Sequence, residues 1–156
     1  MDSWFVNHSY KKWLKAVVSV GNTLIEMSKS NDCSDMEKRS TYEHFFVIAV
    51  GKSLEWGAEL KEYDDTKFQT YCNYKENLPE ARLVRNMREH DVAYLKGEGR
   101  KQQNFVAELS VNNKKLLASV DGTSTIICDE GYLIGGRLNV QDTINQALQA
   151  LEQYRE

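Results

Sequence analysis

The stretch ARLVRNMREHDVAYLKGEGRKQQ, Ala81 to Gln103, gathers four arginines, two lysines and one of the chain's three histidines. From Arg82 to Lys101 six Lys or Arg stand against three Asp or Glu, whereas the 156-residue chain as a whole carries a net charge of −3. Such a concentration suits an anionic partner. The overall charge argues against a protein that coats nucleic acid non-specifically. Within the stretch, Asn86 and His90 are four residues apart and can meet across one helical turn, so the amide is placed to orient the imidazole. Arg85 precedes His90 by five residues, about 140° around a helix, so a single helix does not bring these two side chains together. A second chain packed against this face could bring the arginine of one to the histidine of the other.

Helices must position these residues. Trp13, Val17, Val20 and Leu24 recur at intervals of three and four, and Leu14, Val18 and Ile25 widen the stripe, which predicts a core-facing helix over about 3–28. SNDCSD then interrupts the pattern with small polar side chains that compete for backbone hydrogen bonds. Ser40 and Glu43 in STYE have the spacing of a capping box, so a second helix is predicted over about 40–63. Its apolar residues occupy much of its circumference, as in the centre of a bundle or a dimer contact. DDTKFQTYCNYKEN fits either a further helical piece or a turn. Pro79 suits a first helical turn and Glu80 the positive end of the helix dipole, which places a third helix over about 79–96, ending at Gly97.

Beyond Gly97 the period becomes twofold. Phe105, Ala107, Leu109 and Val111 alternate with Val106, Glu108 and Ser110, NN turns the chain into Leu116, Ala118 and Val120, and DGT and DEG punctuate TIIC and YLIGG. The pattern predicts an antiparallel meander of three or four strands over about 104–137. Asn139 caps a closing helix over about 140–155, with Val140, Ile144, Ala147, Leu148, Leu151 and Tyr154 as its apolar stripe. The expected fold is mainly α. It is an up-down bundle of four to five helices in one domain, 1–156, with a small antiparallel β meander inserted before the last helix, an α+β arrangement.

A hydrophobic fraction of 41% beside 28% charged residues is that of a water-soluble globular domain, and no apolar run approaches the ~20 residues of a membrane span. MDSWFVNHSYKKW lacks a basic region followed by an apolar run, so it does not read as a secretion signal and a cytoplasmic location is expected. Cys33, Cys72 and Cys128 are odd in number and far apart, which suits incidental thiols in a reducing compartment better than disulfides or zinc. Glu43 and Glu89 each adjoin a histidine directly rather than at the Glu-x-x-His spacing of di-iron bundles. No G-x-S-x-G elbow is present. No metal or cofactor is expected. HSYKKW could stack bases but fits amphipathic packing better.

RNMREH resembles the R-x4-H signature of the HEPN superfamily (higher eukaryotes and prokaryotes nucleotide-binding), with Arg85, Asn86 and His90 matching its arginine, the polar residue that often follows it, and its histidine. The helices, roughly two-thirds of the chain, resemble the family bundle; the meander departs from it. So does Val92, which stands where some toxin members have tyrosine. The resemblance implies metal-independent cleavage of RNA by 2′-hydroxyl attack, at a site composed across a homodimer. His90 would then be the base or acid, Arg85 would bind the phosphate oxygens and Asn86 would orient, while Arg82, Arg88, Arg100 and Lys101 hold flanking phosphates. An antitoxin or another protein partner fits the same family. The alternative is a non-catalytic HEPN-like module that binds a nucleotide or a protein.

Overall fold

Asp2 opens the first helix: its carboxylate accepts the Phe5 N–H at 2.8 Å, meeting one of the amides that a helix start leaves unpaired. The computed structural model describes residues 2–30, 34–111 and 114–155. Helix α1 (Ser3–Ser28) buries Val6, Tyr10, Leu14, Val17, Gly21 and Leu24, a line at spacings of three and four. Trp13, Val18, Val20 and Ile25 flank that line and are only partly buried. Helix α2 (Ser34–Glu59) lies along α1 and also packs on α4 (Ala81–Glu89). Helix α3 (Asp65–Glu76) is capped by Asp64, which accepts the Lys67 N–H at 3.0 Å. Helix α5 (Asp91–Leu95) follows α4 directly, and α6 (Val140–Leu151) closes the bundle against α1.

Two small antiparallel sheets precede α6. Strands β1 (Val106–Val111) and β2 (Lys114–Asp121) form a hairpin whose register shifts between Glu108 and Ser110. Strands β3 (Thr125–Cys128), β4 (Gly131–Ile134) and β5 (Leu138–Asn139) form the other sheet, in that order. Gly135 and Gly136, both at positive φ, make the turn between β4 and β5, a conformation that a side chain would strain. The fold is thus mainly α with a small antiparallel β part before the last helix. One apolar core joins Tyr10, Leu14, Phe46, Val50, Tyr74, Met87, Ile134 and Ile144 from both parts. Each large apolar side chain buried in this way contributes about 1.5–3 kcal/mol of transfer free energy.

The structure corrects the sequence reading in several places. The second helix begins at Ser34, with Asp35 and Glu37 in the favourable first turn, so Ser40 is a helix-interior residue and not a cap. Glu43, its expected capping partner, is buried and serves elsewhere. The undecided DDTKFQTYCNYKEN segment supplies α3. The helix expected over 79–96 is two pieces broken at His90, whose φ of −123° and ψ of 34° leave the helical region, and Asp91 accepts the Val92 N–H at 2.7 Å to start α5 afresh. The closing helix stops at Leu151 and tightens into a 3-10 turn, Glu152–Tyr154. Among the described residues the strands number five and belong to two sheets, because the chain turns away after β2 at Asp121. That carboxylate accepts the N–H groups of Thr123 and Ser124 at 2.8 and 3.0 Å and both of their hydroxyls, so the loop closes on itself.

The expected Asn112–Asn113 turn, Cys33 and half of the SNDCSD break lie outside the described residues, and the last two residues of that break open α2. Cys72 and Cys128 are free thiols of intermediate burial. Among the described residues no helix is long and apolar enough to cross a membrane.

Candidate functional site

Arg82 and Asn86 on α4 and His90 at its C-terminal cap follow one another at four-residue steps, which sets them along one side. Opposite them stands the turn after α5. Tyr94 donates its hydroxyl proton to the Arg100 carbonyl, and its ring stacks on Phe105 at 5.4 Å. The Gln102 side chain accepts the Gly99 N–H at 2.8 Å and donates to the Tyr94 carbonyl at 2.9 Å. Gly99 lies so close to the Tyr94 ring that an added Cβ would fall 2.3 Å from it. These bonds hold the GEGRK turn, Gly97–Lys101, in one place and fold it back towards α4.

Two adjoining hollows result, sharing Asn86, Tyr94 and Arg100. One, of about 420 Å³, takes in Arg82 and Lys101; the other, of about 300 Å³, takes in His90 and Gly99. No Asp or Glu is among the described residues that line them. The groove is therefore cationic, with donors from Arg82, Asn86, Arg100 and Lys101 and an exposed imidazole at one end. Guanidinium and ammonium groups arranged in this way match phosphate oxygens. The His90 N–H bonds the Asn86 carbonyl at 3.1 Å, which ties the imidazole's backbone to the groove wall. Among the described residues no group of three or more His, Cys, Asp or Glu side chains is placed to hold a metal ion.

The other two candidate arginines lie away from this groove. Arg85 runs along α2 at Gly51, and its guanidinium pairs with Glu89 and, at 3.6 Å, with Glu55. Arg88 is more deeply committed: only 9% of its side chain is exposed, Nη1 lies 2.8 Å from Glu43 Oε2, and Nη2 donates to Thr125 Oγ1 at 2.8 Å. Glu43 also accepts the Tyr132 hydroxyl proton. Burial first, and then the Glu43 bond and charge, push the Tyr132 phenol well above its ordinary value, so it stays a donor. Five of the seven residues expected at the site thus surround one groove, while Arg85 and Arg88 are ion-paired on other sides of α4. Tyr94, Gly99 and Gln102 shape the groove and escaped the sequence reading. Gly97 and Gly99 flanking Glu98 were the only local signal of the turn.

No family model matches the chain, and neither a curated protein nor a solved structure matches it.

Proposed function

We propose that the protein binds RNA in the groove between α4 and the Gly97–Lys101 turn and cleaves it without a metal, in the manner the HEPN resemblance implies. The observation that carries this reading is an exposed histidine beside Arg82, Arg100 and Lys101 in a groove with no lining carboxylate. Bound phosphates would lie against those cations. His90 takes the proton of the ribose 2′-hydroxyl as its oxygen attacks the adjacent phosphorus; the P–O5′ bond breaks, giving a 2′,3′-cyclic phosphate and a 5′-hydroxyl. Arg100, in place of the motif's Arg85, which is paired with Glu55 and Glu89, donates to the phosphate oxygens as charge develops there.

Protonation of the leaving oxygen requires an acid as well as a base, and the groove of one chain offers a single imidazole. A homodimer supplies the second. Val92 and Leu95, two and five residues beyond His90 and 61% and 66% exposed, give such a contact an apolar surface. The test is incubation of purified protein with RNA in EDTA beside His90→Ala prepared identically. Cleavage by the wild type alone supports the reading; equal cleavage by both sinks it.

A second reading, a non-catalytic module that binds RNA or a nucleotide, is favoured by Arg85, whose charge is offset by Glu55 and Glu89. It predicts RNA binding that survives His90→Ala and no cleavage product from either protein.

A further inference from the structure

The buried Arg88–Glu43 pair forms the floor of another hollow, on a different side of α4 from the groove. Arg88 is two residues beyond Asn86, about 200° around the helix. The hollow has a volume of about 430 Å³, within the range of about 300–1,000 Å³ that small-molecule sites occupy. A paired charge so far from water contributes little stability by itself, because desolvation offsets its attraction. Glu43 and Arg88 line the hollow together with Tyr132 and Thr125, to which they are bonded. Thr125 accepts from Arg88, which leaves its own hydroxyl proton to donate. Arg39 and Ser40, one turn before Glu43 on α2, stand on the same rim. Arg39 adds a positive charge that the Glu43–Arg88 pair does not offset, and that charge reaches the Tyr132 phenol.

The opposite wall is fixed in advance. Asp121 holds Thr123 and Ser124 by four hydrogen bonds of 2.6–3.0 Å, which places Thr123 and Thr125 at the rim without further ordering. Met36 and Ile127, 59% and 50% exposed, form apolar lips. The geometry points to a binding site for a small phosphomonoester, its phosphate on Arg39, Ser40 and Thr125 and its organic part between Met36 and Ile127. A tetrahedral oxyanion can accept donors from several directions, as this arrangement requires, whereas a carboxylate accepts them near one plane.

This site stands apart from the RNA reading, and the experiment separates the two. The full chain is titrated with phenyl phosphate, with inorganic phosphate and with benzoate, read by amide chemical shifts and by thermal midpoint. Phenyl phosphate binds saturably, several-fold more tightly than inorganic phosphate, while benzoate is at least tenfold weaker. Arg39→Gln weakens phenyl phosphate about tenfold, the loss of one charge-assisted hydrogen bond. Ser40→Ala weakens it by a smaller factor, and both variants keep the wild-type midpoint in the absence of ligand. Arg100→Ala, in the groove, leaves the affinity unchanged. Three results overturn the site: no saturable binding by the wild type, affinity unaltered in both Arg39→Gln and Ser40→Ala, or loss on Arg100→Ala. The last would place the phosphate in the RNA groove and so strengthen the reading of that groove while removing this one.

Discussion

Arg88 and Glu43, 45 positions apart in the chain, face each other at 2.8 Å with both side chains more than nine-tenths buried. The pair fastens α4 to α2, and through Tyr132 and Thr125 it fastens both helices to the second sheet. Removing one partner leaves the other charge in the interior without its match. Arg88→Met should therefore destabilise the fold by about 3–5 kcal/mol, whereas the double variant Arg88→Met/Glu43→Leu recovers most of that loss. Urea denaturation of the two singles and the double measures the coupling. A single-variant loss below about 1 kcal/mol would mean that water reaches the pair.

That pairing also marks the limit of what the sequence discloses. Helices α1 and α6 were legible because their signals are local: an apolar stripe at helical spacing and, at Asn139, a cap that accepts the Asp142 N–H at 3.1 Å. The Asn86–His90 spacing was legible for the same reason, whereas the place of Arg82 in the same row was not drawn from it. Glu43 was misread because its capping-box spacing is local while its actual partners, Arg88 and Tyr132, come from distant segments. In the sequence Arg88 reads with Arg82 as a residue for flanking phosphates, and Arg85 as the motif arginine at the reacting phosphate. What sets Arg85 and Arg88 apart is the carboxylate each meets on α2, Glu55 or Glu43, and no helical period reveals that. The return of Arg100 over Asn86 depends on side-chain bonds from Tyr94 and Gln102, which composition cannot show.

The separation of the arginines gives different expectations for each. Arg82→Ala, Arg100→Ala and Lys101→Ala should each weaken binding of single-stranded RNA across sequences and flatten the dependence of log affinity on log salt by about 0.7 per lost phosphate contact. Arg85→Ala should leave that slope unchanged and lower stability by no more than about 1 kcal/mol, since its pairs are partly solvated. Filter binding over a salt series decides. Loss of cleavage in Arg85→Ala with RNA affinity intact would return that arginine to the reacting phosphate, by way of a second subunit.

Stability should fall at both ends of the pH scale, for different reasons. Burial raises the phenols of Tyr10, Tyr74, Tyr132 and Tyr154 above their ordinary value, so the folded state retains protons that the unfolded chain gives up. Their contribution is complete below about pH 10 and is lost above it. Tyrosinate absorbance should then rise together with loss of helical circular dichroism; ionisation of these phenols with the helices intact would contradict it. For Asp121, burial works upward, but the four bonds from Thr123 and Ser124 outweigh it and hold the carboxyl low. Its contribution is present above about pH 4 and disappears on acidification, and Asp121→Asn should flatten the acid limb.

The groove's shape depends on a contact that only glycine permits. At Gly99 a methyl group would stand 2.3 Å from the Tyr94 ring, which is itself fixed by stacking on Phe105 and by its bond to the Arg100 carbonyl. The ring cannot yield without breaking those contacts, so Gly99→Ala must displace the turn, at a penalty of about 1–3 kcal/mol. Arg100 and Lys101 then move away from Asn86 and His90. The variant should keep its helical circular dichroism yet lose RNA affinity to the extent of the Arg100→Ala/Lys101→Ala double variant. Gly97→Ala is the informative control, because Gly97 has a φ of +81° but open space around its Cα. It should lower stability through backbone strain and leave the groove in place. If Gly99→Ala binds RNA like the wild type, the turn is not what brings the cations to His90, and the groove loses its standing as the RNA site.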